Sequence, residues 1–283
     1  MSPERTITIY GPGLLGGSLA LAIQQRFPDA ELRLWARRDS AAEAIRAKGI
    51  KARCLADAVA AASRASLIIL CTPVETMPAL AAQIAQADLP ADCLITDVGS
   101  VKGSVVRALS PILGTRFIGS HPMAGSEKAG IETARADLFQ NAVCLLTPIE
   151  GADTSRLRTF WQALGCRILE MTPDEHDQKV ARISHLPHMM AAVTTIAALR
   201  GDPAAVACVA NGFRDTTRVA GGDPGLWTGI ARENRPALIG CLREASAILT
   251  ELLEILSKPD DEALRRFLAE AKALRESLPA AAP

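Results

Sequence analysis

The sequence predicts a doubly wound α/β fold with a parallel sheet, followed by an all-helical region, and three observations carry that expectation. Short apolar, β-branched runs alternate with helix-length stretches over residues 1–171. In that pattern a helix carries the chain from each strand to the next parallel one. A Gly-x-Gly-x-x-Gly spacing, Gly11, Gly13 and Gly16, joins the first such run to the first helix. From Thr172 onward the strand pattern stops and long helical stretches follow. The expected division is therefore a dinucleotide-binding domain over 1–171 and a helical domain over 172–283.

Thr6–Tyr10 reads as a buried strand because β-branched residues dominate it. The apolar run Leu14–Ile23 continues as a helix. Gly11 permits a tight turn off the strand, Gly13 leaves room for a pyrophosphate, and Gly16 lets the helix pack close to the strand. The helix start, with Leu14 and Leu15, offers free N–H groups and a partial positive charge to phosphate. Glu31–Ala36 is the second strand, and a helix over 41–48 is closed by Gly49. A helix over 57–63 leads to the strand Ser66–Pro73, whose end places Thr72 and Pro73 with the cofactor contacts. A helix over 76–86 precedes the strand Cys93–Asp97. Val98–Lys102 then turns into a helix reaching Leu109. Arg116–His121 and Ala142–Thr147 are further strands, and a helix with the short strand Arg167–Glu170 completes the domain. Beyond it, Thr172 and Glu175 have the spacing of a capping box. Helices are expected over about 174–200, 203–218, 226–257 and 260–277, with 279–283 a disordered tail.

Lysines plus arginines and aspartates plus glutamates both number 31, so the net charge is zero. That argues against nucleic acid or an anionic membrane as the main partner and favours a small-molecule substrate. The apolar runs are too short and too often broken to cross a bilayer. The start runs straight into the first strand, which leaves no signal peptide to expect. Seven scattered cysteines without a Cys-x-x-Cys read as small buried residues of a cytoplasmic protein.

Four histidines occur. His121 ends a strand, where ligands of open α/β sheets bind, and its imidazole can exchange a proton near neutral pH. A turn-capping histidine before Pro122 is the plainer alternative. Ser100, after the preceding strand, reaches the same crevice or caps the next helix. His185 and His188 lie one turn apart with Pro187 between them, and local geometry keeps His176 away from that pair. No third ligand completes a zinc site, so no metal is expected. Arg218 could present its planar fork to a carboxylate, whereas Arg214 beside Asp215 suits an ion pair.

Five stretches together resemble the prephenate/arogenate (cyclohexadienyl) dehydrogenase family of tyrosine biosynthesis. They are Gly11–Ser18, Asp97–Lys102, His121–Glu127, Ser184–His188 and Gly212–Arg218, in the family's order and across nearly the whole chain. The resemblance implies a Rossmann domain, a helical dimerisation domain with the active site between the two, and a homodimer. It implies oxidative decarboxylation of prephenate or arogenate with hydride transfer to a nicotinamide cofactor. It makes His121 the catalytic group at the ring hydroxyl, supported by Ser100, and Arg218 the carboxylate ligand. Glu127, His176, Ser184, His188 and Trp227 match positions that line or gate the pocket. Unlike in parts of the family, no chorismate mutase segment is expected before Thr6 and no regulatory module after Ser277.

An NAD enzyme places an acidic residue about twenty positions past the glycines. Here Ala36 stands at that position, with Arg37, Arg38 and Ser40 after it, a set suited to the 2′-phosphate of NADP. A one-residue slip would give Asp39 the acidic role and make NAD the cofactor. Two other readings compete. A β-hydroxyacid dehydrogenase would use a helical lysine, for which Lys179 is the early candidate. A dinucleotide-sensing regulator would need neither His121 nor Arg218.

Overall fold

The computed structural model describes residues 5–36, 39–126, 128 and 130–279. Arg37, Arg38, Glu127 and the tail residues 280–283 lie outside the described residues. The first strand, β1 (Thr6–Tyr10), is fully buried, and α1 (Leu14–Arg26) follows it. Then come β2 (Glu31–Trp35), α2 (Asp39–Ala47), β3 (Arg53–Leu55), α3 (Ala58–Ala62) and β4 (Leu67–Leu70). The second half of the sheet is α4 (Met77–Ile84), β5 (Leu94–Asp97), α5 (Gly103–Leu113), β6 (Phe117–Pro122), β7 (Val143–Thr147), α6 (Ser155–Ala163) and β8 (Arg167–Glu170).

These strands form one eight-stranded sheet in the order β3-β2-β1-β4-β5-β6-β7-β8. β1 pairs in parallel with β2 on one side and β4 on the other, so the winding reverses between β1 and β4. That reversal opens a crevice at the carboxyl ends of the strands, where such sheets bind ligands. Strand faces alternate accordingly. Ile7, Ile9, Leu67 and Ile69 point to a core shared with α1, α2 and α6. Tyr10, Ile68 and Leu70 point to a second core shared with α3, α4 and α5. Each fully buried Leu or Ile contributes about 1.5–3 kcal/mol, so both faces hold the sheet.

Two features depart from the expected all-parallel sheet. β7 runs antiparallel to β6. Between them the described residues hold one 3-10 turn, Ile131–Thr133, and no crossover helix. A connection without a crossover returns the chain antiparallel. β3 was not expected at all; it is three residues long and lies at the sheet edge. All seven cysteines are free, and Cys208 is exposed.

The helical stretches are more broken than their composition suggests. α7 (Pro173–Val180) passes through a π turn, Ala181–His185, into α8 (Leu186–Leu199). Pro187 stands just after the π turn and, having no N–H, cannot donate back into it. A 3-10 segment, Pro203–Cys208, precedes α9 (Asn211–Thr217), and another, Arg218–Gly221, precedes α10 (Pro224–Glu233). Asn234 separates α10 from α11 (Arg235–Leu256), and α12 (Asp261–Glu276) ends the described helices. The chain packs as two compact units, Met1–Asn234 and Arg235–Pro283. No helix among the described residues is long and apolar enough to cross a membrane.

Candidate active site

Two of the three motif glycines after β1, Gly11 and Gly16, leave no room for a side chain. Gly11 has φ +96°, and a Cβ on it would stand 2.7 Å from the Cys71 carbonyl oxygen. A Cβ on Gly16 would stand 2.1 Å from the Gly11 carbonyl. Gly13, by contrast, has no atom of the described residues within 4 Å of its missing Cβ, which leaves its backbone open to a ligand. Leu14 and Leu15 are half-buried at the start of α1, whose first turn carries no acidic residue to oppose a phosphate. Across the crevice, the buried Thr72 hydroxyl has no hydrogen-bond partner among the described residues, and Pro73 beside it is exposed. An open amide turn, a helix N-terminus and an orphaned hydroxyl fit a dinucleotide. Ala36, after β2, is buried, and its N–H donates to the Leu55 carbonyl at 2.9 Å. Ser40 is exposed in α2.

A buried polar network underlies the same end of the sheet. Asp97 closes β5, and its carboxylate accepts from the Gly99 amide at 2.8 Å, from the Ser120 amide at 3.3 Å and from Lys102 Nζ. Asp97 and Lys102 are both fully buried. The lysine stem passes close to β6, where a Cβ on Gly119 would lie 3.2 Å from it. Ser100 is half-buried in the loop between β5 and α5; Lys102, not Ser100, occupies the cap position of that helix.

His121 sits near the end of β6 with 7% of its surface exposed. Its Nδ1 lies 2.9 Å from Nε2 of His176, which is fully buried in α7. His176 Nδ1 lies 2.8 Å from the Asp177 carboxylate. That carboxylate also accepts the backbone amides of Lys102 at 2.8 Å and Gly103 at 2.9 Å. α5 has no side-chain cap of its own, so Asp177 caps it from another helix. Burial, then the neighbouring His176 and Lys102, hold the His121 imidazole well below the ordinary histidine range. His176 is lowered by burial, which outweighs the opposing pull of Asp177. Burial would raise Asp177, but the bonds from His176, Lys102 and Gly103 prevail and hold it low.

The π turn places Ser184, half-buried, beside the fully buried His185. His185 Nδ1 meets the Asn234 amide at 3.2 Å, and that amide also donates to the Asp177 carbonyl at 2.8 Å. Burial pulls His185 down to about 4. His188 stacks on Trp227 with ring centres 3.4 Å apart and an interplanar angle of 16°. The stack requires Gly222, because a Cβ there would stand 2.7 Å from Trp227 Nε1 and 3.1 Å from His188 Cε1. Arg218 is exposed, at the start of a turn that packs on α8.

The structure thus joins His121 to His176, and His188 to Trp227, and it places Ser184 on the same helical run. Sequence reasoning set His176 among residues lining a pocket, but its ring has no exposed surface and backs His121. Asp177, Asn234, Asp97 and Lys102 were missed as members of the site. Asp97 and Lys102 could have been suspected from an Asp and a Lys flanking a strand-end glycine turn. Asn234 had no signal in the sequence. Lys179, the lysine a β-hydroxyacid dehydrogenase would need, is exposed.

Residues 19–170 match the family model of the prephenate dehydrogenase nucleotide-binding domain, and residues 172–270 that of the prephenate dehydrogenase dimerization domain. The chain is similar to prephenate dehydrogenase of Bacillus subtilis, with 33% identity over 97% of this chain and 76% of that protein. It is similar in structure to prephenate dehydrogenase from A. aeolicus in complex with hydroxyphenyl propionate and NAD+. That match has a TM-score of 0.86 and 28% identity over 96% of this chain and 97% of that one. Arogenate dehydrogenase of Synechocystis matches with a TM-score of 0.80 and 33% identity over 96% and 99%. Both family models match in order, and a relative a third identical spans nearly the whole chain. The chain belongs to the prephenate dehydrogenase family.

Proposed function

We propose that this chain oxidatively decarboxylates a cyclohexadienol, prephenate or arogenate, with a nicotinamide dinucleotide as acceptor. The observation that supports it most directly is a buried His121 at the carboxyl end of β6, hydrogen-bonded to a histidine that an aspartate holds in turn, with burial keeping its imidazole well below the ordinary range. Gly11, Gly13, Leu14, Leu15, Gly16, Thr72 and Pro73 would hold the dinucleotide. When bound, it would take up hydride from the substrate ring carbon. His121 accepts the proton of the ring hydroxyl while that C–O bond becomes a carbonyl. As the ring carboxylate leaves as CO2, its electron pair restores aromaticity, and the oxygen recovers a proton. Ser100 supports the hydroxyl, Arg218 binds a substrate carboxylate, and Ser184, His188 and Trp227 line the pocket; the sequence match gives Glu127 a role there as well. Holding the reactants and placing one base is sufficient protein chemistry.

Prephenate is the favoured substrate, because its keto side chain suits donation from His188 and, apart from Asp215 and Asp223, no carboxylate near Arg218 is an evident partner for arogenate's ammonium. NADP is the favoured cofactor on the grounds of Ala36, Arg37, Arg38 and Ser40. The division into 1–171 and 172–283 is kept as the functional one, and the active form is a homodimer in the cytoplasm. Ile248, Leu249, Leu253 and Leu256 on α11, and Leu268 and Leu274 on α12, are each more than half exposed, as a helical dimer face would be in a lone chain.

The test is turnover of prephenate and arogenate, each with NADP and NAD, on protein whose mass in solution is measured first. Prephenate with NADP is expected to give the highest kcat/KM, from a species of twice the chain mass. The Arg37→Ala, Arg38→Ala double variant should lose that NADP preference. A parent preferring NAD, or arogenate used far better, would reverse the corresponding choice. No turnover in any pairing would favour the sensor reading.

A further inference from the structure

We propose that Asp177 and His176 are positioning residues which lock His121 in one tautomer, with the proton on Nδ1 and a bare lone pair on Nε2. The inference rests on the dehydrogenase reading for its purpose and on hydrogen-bond geometry for its content. An ionised carboxylate can only accept. Asp177 already accepts the amides of Lys102 and Gly103, so the His176 nitrogen facing it, Nδ1, carries a proton. His176 is buried, and its other nitrogen, Nε2, therefore bears the lone pair. The His121 nitrogen facing that lone pair is Nδ1, at 2.9 Å, and must be the donor. One ring nitrogen of His121 is left, and it is an acceptor. The chain of donors runs outward from Asp177 and ends in the base.

Asp177 is itself held on three sides. It caps α5 through two amides, and Asn234 grips its carbonyl. The titratable groups acting on the His121 ring are His176 from α7, Lys102 from the start of α5 and His185 from the π turn, while the Cys144 thiol from β7 meets its backbone amide. Of these, His176 bonds the His121 ring directly. When His121 takes a proton on Nε2, its Nδ1–H stays bonded to His176, and the new positive charge faces Asp177 through that ring. An aspartate that orients a catalytic imidazole does the same work in the serine protease triad; here a second imidazole stands between them.

Histidine labelled with 15N tests the tautomer without any turnover, since only four histidines contribute. His121→Asn identifies the His121 signals. Between pH 7 and 8 the parent should show His121 protonated on Nδ1 and bare on Nε2; a proton on Nε2 overturns the proposal. Asp177→Asn should lower kcat by roughly 10²-fold with KM little changed, and should move the acid limb of kcat to lower pH. The sign follows from the loss of a negative charge that favours the imidazolium. Unchanged kcat, pH profile and tautomer in that variant would also overturn it. Should Asp177→Asn fail to fold, His176→Phe removes both ring nitrogens of the relay while leaving Asp177 to cap α5, and should give a mixed His121 tautomer; a single retained Nδ1–H tautomer would count against the relay. Absent turnover with the stated tautomer would sink the dehydrogenase reading, whereas turnover with the opposite tautomer would sink the relay.

Discussion

His121→Asn is expected to lower kcat by roughly 10²–10⁴-fold, the usual worth of a general base, while substrate affinity stays near that of the parent. Asparagine keeps a polar group of similar reach but cannot take a proton near neutral pH. The parent should also show a flat kcat from about pH 6.5 upward, falling only toward acid. Burial, His176 and Lys102 keep the imidazole neutral until well below its ordinary titration, and only the neutral ring can accept. Steady-state kinetics across pH, with kcat and KM separated, measure both. A kcat untouched by the substitution would remove His121 from the chemistry.

The second large effect is on stability. Lys102→Met should cost about 3–5 kcal/mol, because it strands the fully buried Asp97 charge without its cation. The lysine stem is long and apolar, and methionine replaces much of its packing beside Gly119 and Val106. What is lost is the ammonium, leaving Asp97 with the amides of Gly99 and Ser120. Urea unfolding of parent and variant, compared at the same slope, reads the difference directly. A change within about 0.5 kcal/mol, the range of an ordinary surface substitution, would show that the pair carries no such weight.

Local rules made most of the sheet legible. The β-branched run at Thr6–Tyr10, the glycine turn and the helix after it stand where their composition puts them. The box at Thr172 and Glu175 is formed, with the Glu175 amide donating to the Thr172 hydroxyl at 3.2 Å and the Glu175 carboxylate accepting the Thr172 amide at 2.9 Å. What local rules could not carry was pairing at a distance. β3 is three residues that count as a strand only beside β2. The reversed β7 follows from how residues 123–142 travel, and periodicity is silent on that. Asn234 looks like one more helical residue, yet its side chain is committed to Asp177, 57 positions away, and the helix divides there. His176 and His121 are 55 positions apart. Their meeting depends on α7 docking against the start of α5, which the sequence does not announce.

All four histidines of the chain titrate below their ordinary value, each with burial as the largest cause. In the unfolded chain they would take up protons near pH 6.5. Folding therefore expels protons in mildly acid solution, and every proton of difference costs about 1.4 kcal/mol of stability per pH unit. The sign is fixed: stability is intact above about pH 6.5 and drains away as the pH falls toward the folded values, about 4 for His185. Carboxylates titrate lower, near pH 4, and so are not the first to respond. Keeping its imidazoles neutral has thereby made this fold acid-labile, and the scaffold begins to loosen at a higher pH than the one that protonates His121.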